Sequence, residues 1–198
     1  MSELFTIVGN LLIIAVLTTY FKQVVTGDST PNPTTWLLWV VVGLMNTFSY
    51  FMVVEGDLWQ SLVTIVTTSC VTILFLYTVV KGKFGKFGST ECICLILAVG
   101  VGILWKMTKN ADIANISLQV VYFISFYPTI KGLLQGTLRE KPLPWNLAVA
   151  AYFFIIMSIL TADSYRWQAF IFPVVNGVLG NGSVALIIKL KKGDGALL

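Results

Sequence analysis

Seven apolar runs separated by short polar links divide this chain, at about residues 4–21, 35–54, 59–80, 92–107, 113–130, 145–162 and 167–188. Each approaches the ~20 residues that a helix needs to cross about 30 Å of hydrocarbon. No stretch alternates apolar and polar residues with a period of two through successive segments, so a membrane barrel is not expected. Helices are expected, because they satisfy every backbone hydrogen bond within the segment and hydrocarbon supplies no other partner. The fourth run, CICLILAVGVGILWKM, has three runs before it and three after. A lone central span lets two three-helix units face the same way across a bilayer, since it restores the orientation of the second. The pattern therefore predicts an all-α membrane protein of seven transmembrane helices. Two parallel three-helix repeats, at 1–88 and 111–198, are joined by a linker helix at 89–110 (3+1+3).

Composition agrees. The chain is 57% hydrophobic and 11% charged, with a mean hydropathy of +0.85, whereas a soluble protein is about half apolar and about a quarter charged. Its 198 residues hold about seven spans of ~20 residues with their links, and no separate soluble domain is expected. MSELF places no basic stretch before the first apolar run, so the first helix is expected to stay and not to be cleaved as a signal peptide. Cys70, Cys92 and Cys94 all fall in or at apolar runs, and the chain has no His. They are read as small core residues and not as a metal site, and no cofactor is expected.

Charge then sets an orientation. With the N-terminus outside, the inner ends and loops hold Lys22, Lys81, Lys83, Lys86, Lys131, Arg139, Lys141, Lys189, Lys191 and Lys192. The outer ones hold only Lys106, Lys109 and Arg166. Ten against three is the bias expected of a cytoplasmic C-terminus. The basic pI of about 9.0 thus reports topology, and nucleic acid is not an expected partner. Short loops lean toward a bacterial inner or plasma membrane. Trp36, Trp39, Trp59, Trp105, Trp145 and Trp167 all lie near span ends, where an indole anchors at the interface; Trp39, slightly deeper, also has a substrate-stacking role open to it.

The outer runs match one another in pairs. Pro33-Thr34-Thr35-Trp36 parallels Pro142-Leu143-Pro144-Trp145 at the start of the second and sixth runs. Trp59-Gln60 parallels Trp167-Gln168 at the start of the third and seventh, Asp57 parallels Asp163, and Lys81 parallels Lys189. Ordered matches at a nearly constant offset argue for a duplicated unit. On this architecture the chain resembles the PQ-loop and SWEET superfamily of small transporters, as a divergent member. The family's Pro-Gln signature falls at the cytoplasmic end of the first helix of each repeat. Here Lys22-Gln23-Val24 and Pro128-Thr129-Ile130 each keep half of it. The resemblance implies an outside N-terminus, a solute site between the repeats, and gating or hinge roles for Gln23 and Pro128.

A carrier of this type holds its solute near the middle of the membrane, where polar side chains are costly and tend to face a cavity. Asn46 is near the centre of the second run, and Ser49 and Tyr50 share its helical face. Thr64, Thr68 and Thr72 form a stripe on the third run. Gln119 and Tyr122 share a face of the fifth, Tyr152 is central in the sixth, and Asn176 is near the centre of the seventh. Asn46, Ser49, Tyr50, Thr68, Gln119, Tyr122, Tyr152 and Asn176 are the candidate substrate-binding residues. Aligning the paired tryptophans sets Asn176 opposite Thr68. Amides and hydroxyls both donate and accept, which suits a neutral polyhydroxylated or amide-bearing solute. Phe48 and Phe154 could supply flat apolar walls. The bland reading of the same Asn, Ser and Thr residues is bonding between helices.

No Asp or Glu lies in the central part of any run. Proton-coupled carriers normally need a titratable group in the path, so uncoupled movement is expected. With no His, no central acid pair and no metal cluster, an intramembrane enzyme is not expected. The sequence thus points to facilitated diffusion of a small neutral polar solute, sugar first, with alternating access. A vitamin or nucleoside carrier of the same helix arrangement, or a non-transporting membrane receptor, is the alternative. Expected partners are the solute and the lipid bilayer, with a homo-oligomer left open.

Overall fold

A computed structural model of the chain describes residues 1–31, 33–81 and 88–193, with side chains at all of these except 33, 34, 91, 192 and 193. Lys83, Lys86 and the side chain of Lys192, counted above among the inner basic groups, lie outside the described residues. About 85% of the described residues are helical, and no strand occurs among them. The helices are α1 (Ser2–Thr26), α2 (Pro33–Val53), α3 (Leu58–Val80), α4 (Ser89–Thr108), α5 (Ala111–Ser125), α6 (Tyr127–Leu134), α7 (Pro142–Leu160) and α8 (Asn181–Gly193). Six spans are long and apolar enough to cross a membrane, as fits an integral multi-pass membrane protein; the apolar part of α4, Cys92–Thr108, is shorter.

Local chemistry sets the helix ends. α1 stops at Gly27, whose left-handed φ of 80° costs glycine nothing. Asp57 caps α3, its carboxylate accepting from the N–H groups of Trp59 and Gln60 at 2.8 and 3.1 Å. Asn110 caps α5 by accepting from Ile113 N–H at 3.1 Å.

Two of the six long spans are not continuous α-helix, and both carry proline. The fifth span breaks at Phe126, between α5 and α6, with Pro128 in the first turn of α6. The last span opens as a 3-10 turn over Trp167–Phe170, widens to a π-helix over Pro173–Gly180 and only then continues as α8. Proline lacks the N–H that would close the ladder, and such interruptions cluster at functional sites. In the last span the Asn181 side-chain amide donates to Asn176 C=O at 2.7 Å, giving a carbonyl of the widened turn a second donor beside the Asn181 backbone N–H.

α1 packs mainly along α7 and α3, and α2 along α3 and α5; α7 also packs on the last span, and α4 lies against α5 and α2. Bulky apolar side chains on the outward faces are exposed, among them Ile96, Val120 and Phe153, as a lipid-facing surface requires. Glycines allow the closest approaches. A Cβ at Gly177 would overlap the Tyr152 side chain, and one at Gly180 would overlap the Phe126 ring. Overpacking of this kind costs about 1–3 kcal/mol. Gly177→Ala is therefore expected to lower the thermal unfolding midpoint of the detergent-solubilised protein, and an unchanged midpoint would contradict the close packing of Tyr152 on the last span.

Candidate functional site

A cavity of about 100 Å³ lies at the centre of the bundle. All six long spans contribute to its wall and α4 contributes nothing. One pole is polar, where Thr67 from α3, Tyr152 from α7 and Asn176 from the last span meet, and Thr68 and Asn181 also line the cavity. There the Asn176 amide donates to the Tyr152 hydroxyl at 3.1 Å, and Tyr152 and Thr67 share a hydrogen bond of 3.3 Å. The remaining wall is aromatic and aliphatic, with Tyr20, Trp36, Trp39, Tyr122, Phe126 and Trp145 supplying the rings. No charged side chain among the described residues lines it.

Aromatic layers bound the cavity at both ends. Toward the face that bears the N-terminus, Phe172 is buried against Tyr50, Tyr122 and Tyr152, with ring centroids 5.9, 5.9 and 5.7 Å away. The Tyr50 hydroxyl donates to Ala169 C=O at 3.1 Å, and beyond it Arg166 pairs with Asp112 at 2.5 Å. Toward the opposite face, Tyr20, Trp36, Trp39, Phe126 and Trp145 form a connected stack with neighbouring centroids 5.0–6.2 Å apart. Trp39 Nε1 donates to Ser125 Oγ at 2.7 Å, tying α2 to the break in the fifth span.

Outside this second layer the links after α1 and before α7 clasp each other. Thr30 N–H donates to Arg139 C=O and Arg139 N–H donates to Thr30 Oγ1, both at 2.9 Å. Lys141 faces Asp28 at 3.8 Å. Gln23 steadies the clasp, accepting from the Ser29 hydroxyl through its side chain at 3.0 Å and from Ser29 N–H through its carbonyl at 3.1 Å. Of the two candidate hinge residues, then, Gln23 holds the clasp and Pro128 begins the second half of a broken span.

The eight candidate binding residues divide. Thr68, Tyr122, Tyr152 and Asn176 line the cavity; Asn176 bonds to Tyr152, whereas the Thr68 hydroxyl bonds to Thr47. Asn46, Ser49 and Gln119 instead meet Asn115 in a buried seam between α2 and α5, away from the cavity wall. Asn115 Nδ2 donates to Asn46 Oδ1 and Ser49 Oγ, each at 3.0 Å, and Gln119 Nε2 donates to Asn46 Oδ1 at 2.8 Å. Asn46 Nδ2 and Gln119 Oε1 are buried without a partner. Tyr50 belongs to the layer around Phe172. A second seam joins α1 to α7, where the Thr6 and Ser158 hydroxyls share a bond of 2.6 Å.

Several single residues fall elsewhere than expected. Phe48 is 67% exposed, so it faces outward and forms no wall, and Phe154 packs on Phe5 and Phe153. Cys92 is exposed and not a core residue, while Cys94 is buried and Cys70 lines the cavity. Trp36, Trp39 and Trp145 build the inner layer, whereas Trp59 and Trp167 are exposed at span starts as interface anchors are.

Glu140 is the residue that sequence reasoning passed over. It sits in the link before α7 yet is only 7% exposed. Its carboxylate accepts from Tyr20 Oη at 2.6 Å and from Trp145 Nε1 at 3.3 Å. Burial pushes its carboxyl up to about 7, against hydrogen bonds from Tyr20, Trp145 and Ser29 that pull it down. A lone acid in a polar link carries no sign of burial; the only available signal was its distance of five residues from Trp145.

Interhelical hydrogen bonds in membranes average about 0.6 kcal/mol and reach about 1.7. Asn46→Ala strips two amide donors of their acceptor, and we expect about 1 kcal/mol of destabilisation, read as a lower unfolding midpoint; an unmoved midpoint would remove Asn46 from the seam. Comparison with protein-family models, with curated proteins and with solved structures found no match to this chain.

Proposed function

We propose that this protein is a passive membrane carrier for a small neutral polar solute, sugar first, working by alternating access between two three-helix repeats. The observation that carries the reading is the central cavity: walled by all six long spans, uncharged, polar at one pole and bounded by an aromatic layer at each end. Its volume of about 100 Å³ is below the ~300 Å³ at which ligand pockets begin. A ring-sized solute therefore needs the wall to part before it fits.

The contacts support the repeats. Thr6 and Asn115, Asn10 and Gln119, Gly27 and Gly136, Trp36 and Trp145, and Ser49 and Ser158 each stand 109 residues apart. Exchanging the repeats turns the Thr6–Ser158 bond of one seam into the Asn115–Ser49 bond of the other. Gly27 and Gly136 both adopt left-handed φ, 80° and 72°. Thr30 and Arg139, again 109 apart, bond to each other across the clasp, as residues beside a twofold axis do. α1 against α7 and α5 against α2 are the helix pairs that this exchange would interchange. The basic residues orient the clasp face toward the cytoplasm, as the positive-inside bias requires.

Pro128 and Pro173 interrupt the spans that close over the cavity, so each can bend without breaking a continuous ladder. The three wall tryptophans favour a second reading, a flat vitamin- or nucleoside-like solute that stacks on indole.

Asn176→Ala is expected to lower solute uptake into proteoliposomes at least severalfold while expression stays intact. Uptake equal to that of the unaltered protein would take Asn176 out of the site. Because no charged group lines the cavity, an imposed proton gradient is expected to drive no accumulation against a solute gradient; concentrative uptake that follows the proton gradient would contradict uncoupled movement.

A further inference from the structure

Glu140 is the one acid among the described residues that the fold buries, and its position links three parts of the closure. Its own link forms the clasp through Arg139 and Lys141. Its carboxylate reaches α1 through Tyr20 and α7 through Trp145, and both rings also belong to the cavity wall. Opening the clasp face must separate α1 from the start of α7, and that movement pulls Tyr20 and Trp145 apart and hydrates the carboxylate between them.

We propose that Glu140 is a proton-binding site that latches the clasp-face end of the cavity, holding its proton more tightly while that end is shut than once it opens. The surrounding groups leave the proton as the ligand that balances the buried carboxylate. From α1 the facing titratable group is Tyr20, while Lys22 is exposed. From α2 and α7 the neighbours are the uncharged rings of Trp36 and Trp145. In the links, Lys141 is turned to Asp28 with both side chains about half exposed, and Arg139 enters the clasp through its backbone. Among the described residues no cation is paired with Glu140.

The direction follows from linkage. A carboxyl raised to about 7 when buried and near 4.5 when hydrated favours the shut state fully below about 4.5. It loses that advantage as pH rises to about 7 and changes little above. Glu140 is not part of the cavity wall, so its proton exchanges with the clasp side and supplies no driving force to the solute. The site therefore tunes when that end opens, and it stands or falls apart from the solute's identity.

The test needs no solute. Cys70 lines the cavity, so its labelling by a small methanethiosulfonate reports access. In a Cys92→Ser, Cys94→Ser background in nanodiscs, the labelling rate with intact Glu140, divided by that of Glu140→Gln at the same pH, is expected to rise about tenfold from pH 6 to pH 8.5. The Gln side chain keeps the shape without the titration and corrects for thiol ionisation. A ratio flat with pH overturns the proposal. If Glu140→Gln does not fold, Tyr20→Phe serves: losing one donor to the carboxylate moves the rise to higher pH, and an unmoved profile overturns the latch. Infrared titration of the protein with intact Glu140 gives an independent reading. A carboxyl band that ionises near neutral pH is expected, and a full set of carboxylates already ionised by pH 6 overturns the proposal.

Discussion

Hydrocarbon offers no hydrogen bonds, so every polar group carried into it must find its partner inside the protein. That constraint arranges this molecule. Asn46, Ser49, Asn115 and Gln119 pair between α2 and α5, and Thr6 and Ser158 pair between α1 and α7. Each seam joins an early helix to a late one, so the amides and hydroxyls that hydrocarbon rejects also hold the two parts of the bundle together. Lipid-like surfaces gain little from burial against each other in a bilayer; the specificity of assembly rests on these few polar bonds and on close approach at Gly9, Gly177 and Gly180.

The same constraint explains where the space is. The seams lie toward the N-terminal face, and the cavity runs from Thr67, Tyr152 and Asn176 toward the stack of Trp36, Trp39 and Trp145. Rings close both ends because they exclude water with few hydrogen bonds to satisfy, and the polar atoms of Trp39, Trp145, Tyr20 and Tyr50 are satisfied by Ser125, Glu140 and Ala169. The π-helix at Pro173–Gly180 and the break at Phe126 put the irregular backbone beside the cavity, where protein and not lipid surrounds it.

Apolar runs were the most legible part of the chain. Their length and spacing predict the six long helices and α4 to within a few residues, since burial in lipid leaves a continuous signal. The site was half legible. Thr68, Tyr122, Tyr152 and Asn176 line the cavity, but Asn46, Ser49 and Gln119 carry the same polar, mid-span signature and point into a seam. A helical face says that a residue avoids lipid, not whether a neighbouring helix or a void receives it. Asn115 was missed because it lies near the start of α5, where a polar residue reads as part of the span's polar end. Glu140 was missed because links fold back over the bundle, and nothing in a polar link marks the residue that will be covered. Phe48, chosen for a ring, faces outward because a ring is equally at home against acyl chains.

The central claim is that one cavity opens alternately to two faces. Spin labels at exposed Asp28 and Thr137 span the clasp, and labels at exposed Leu58 and Ser164 span the opposite face. Pulsed distance measurements on the two pairs in lipid test the claim directly. The account predicts two populations in which a longer distance at one face accompanies a shorter one at the other. Single, invariant distances at both faces, with and without added solutes and across neutral pH, would contradict it.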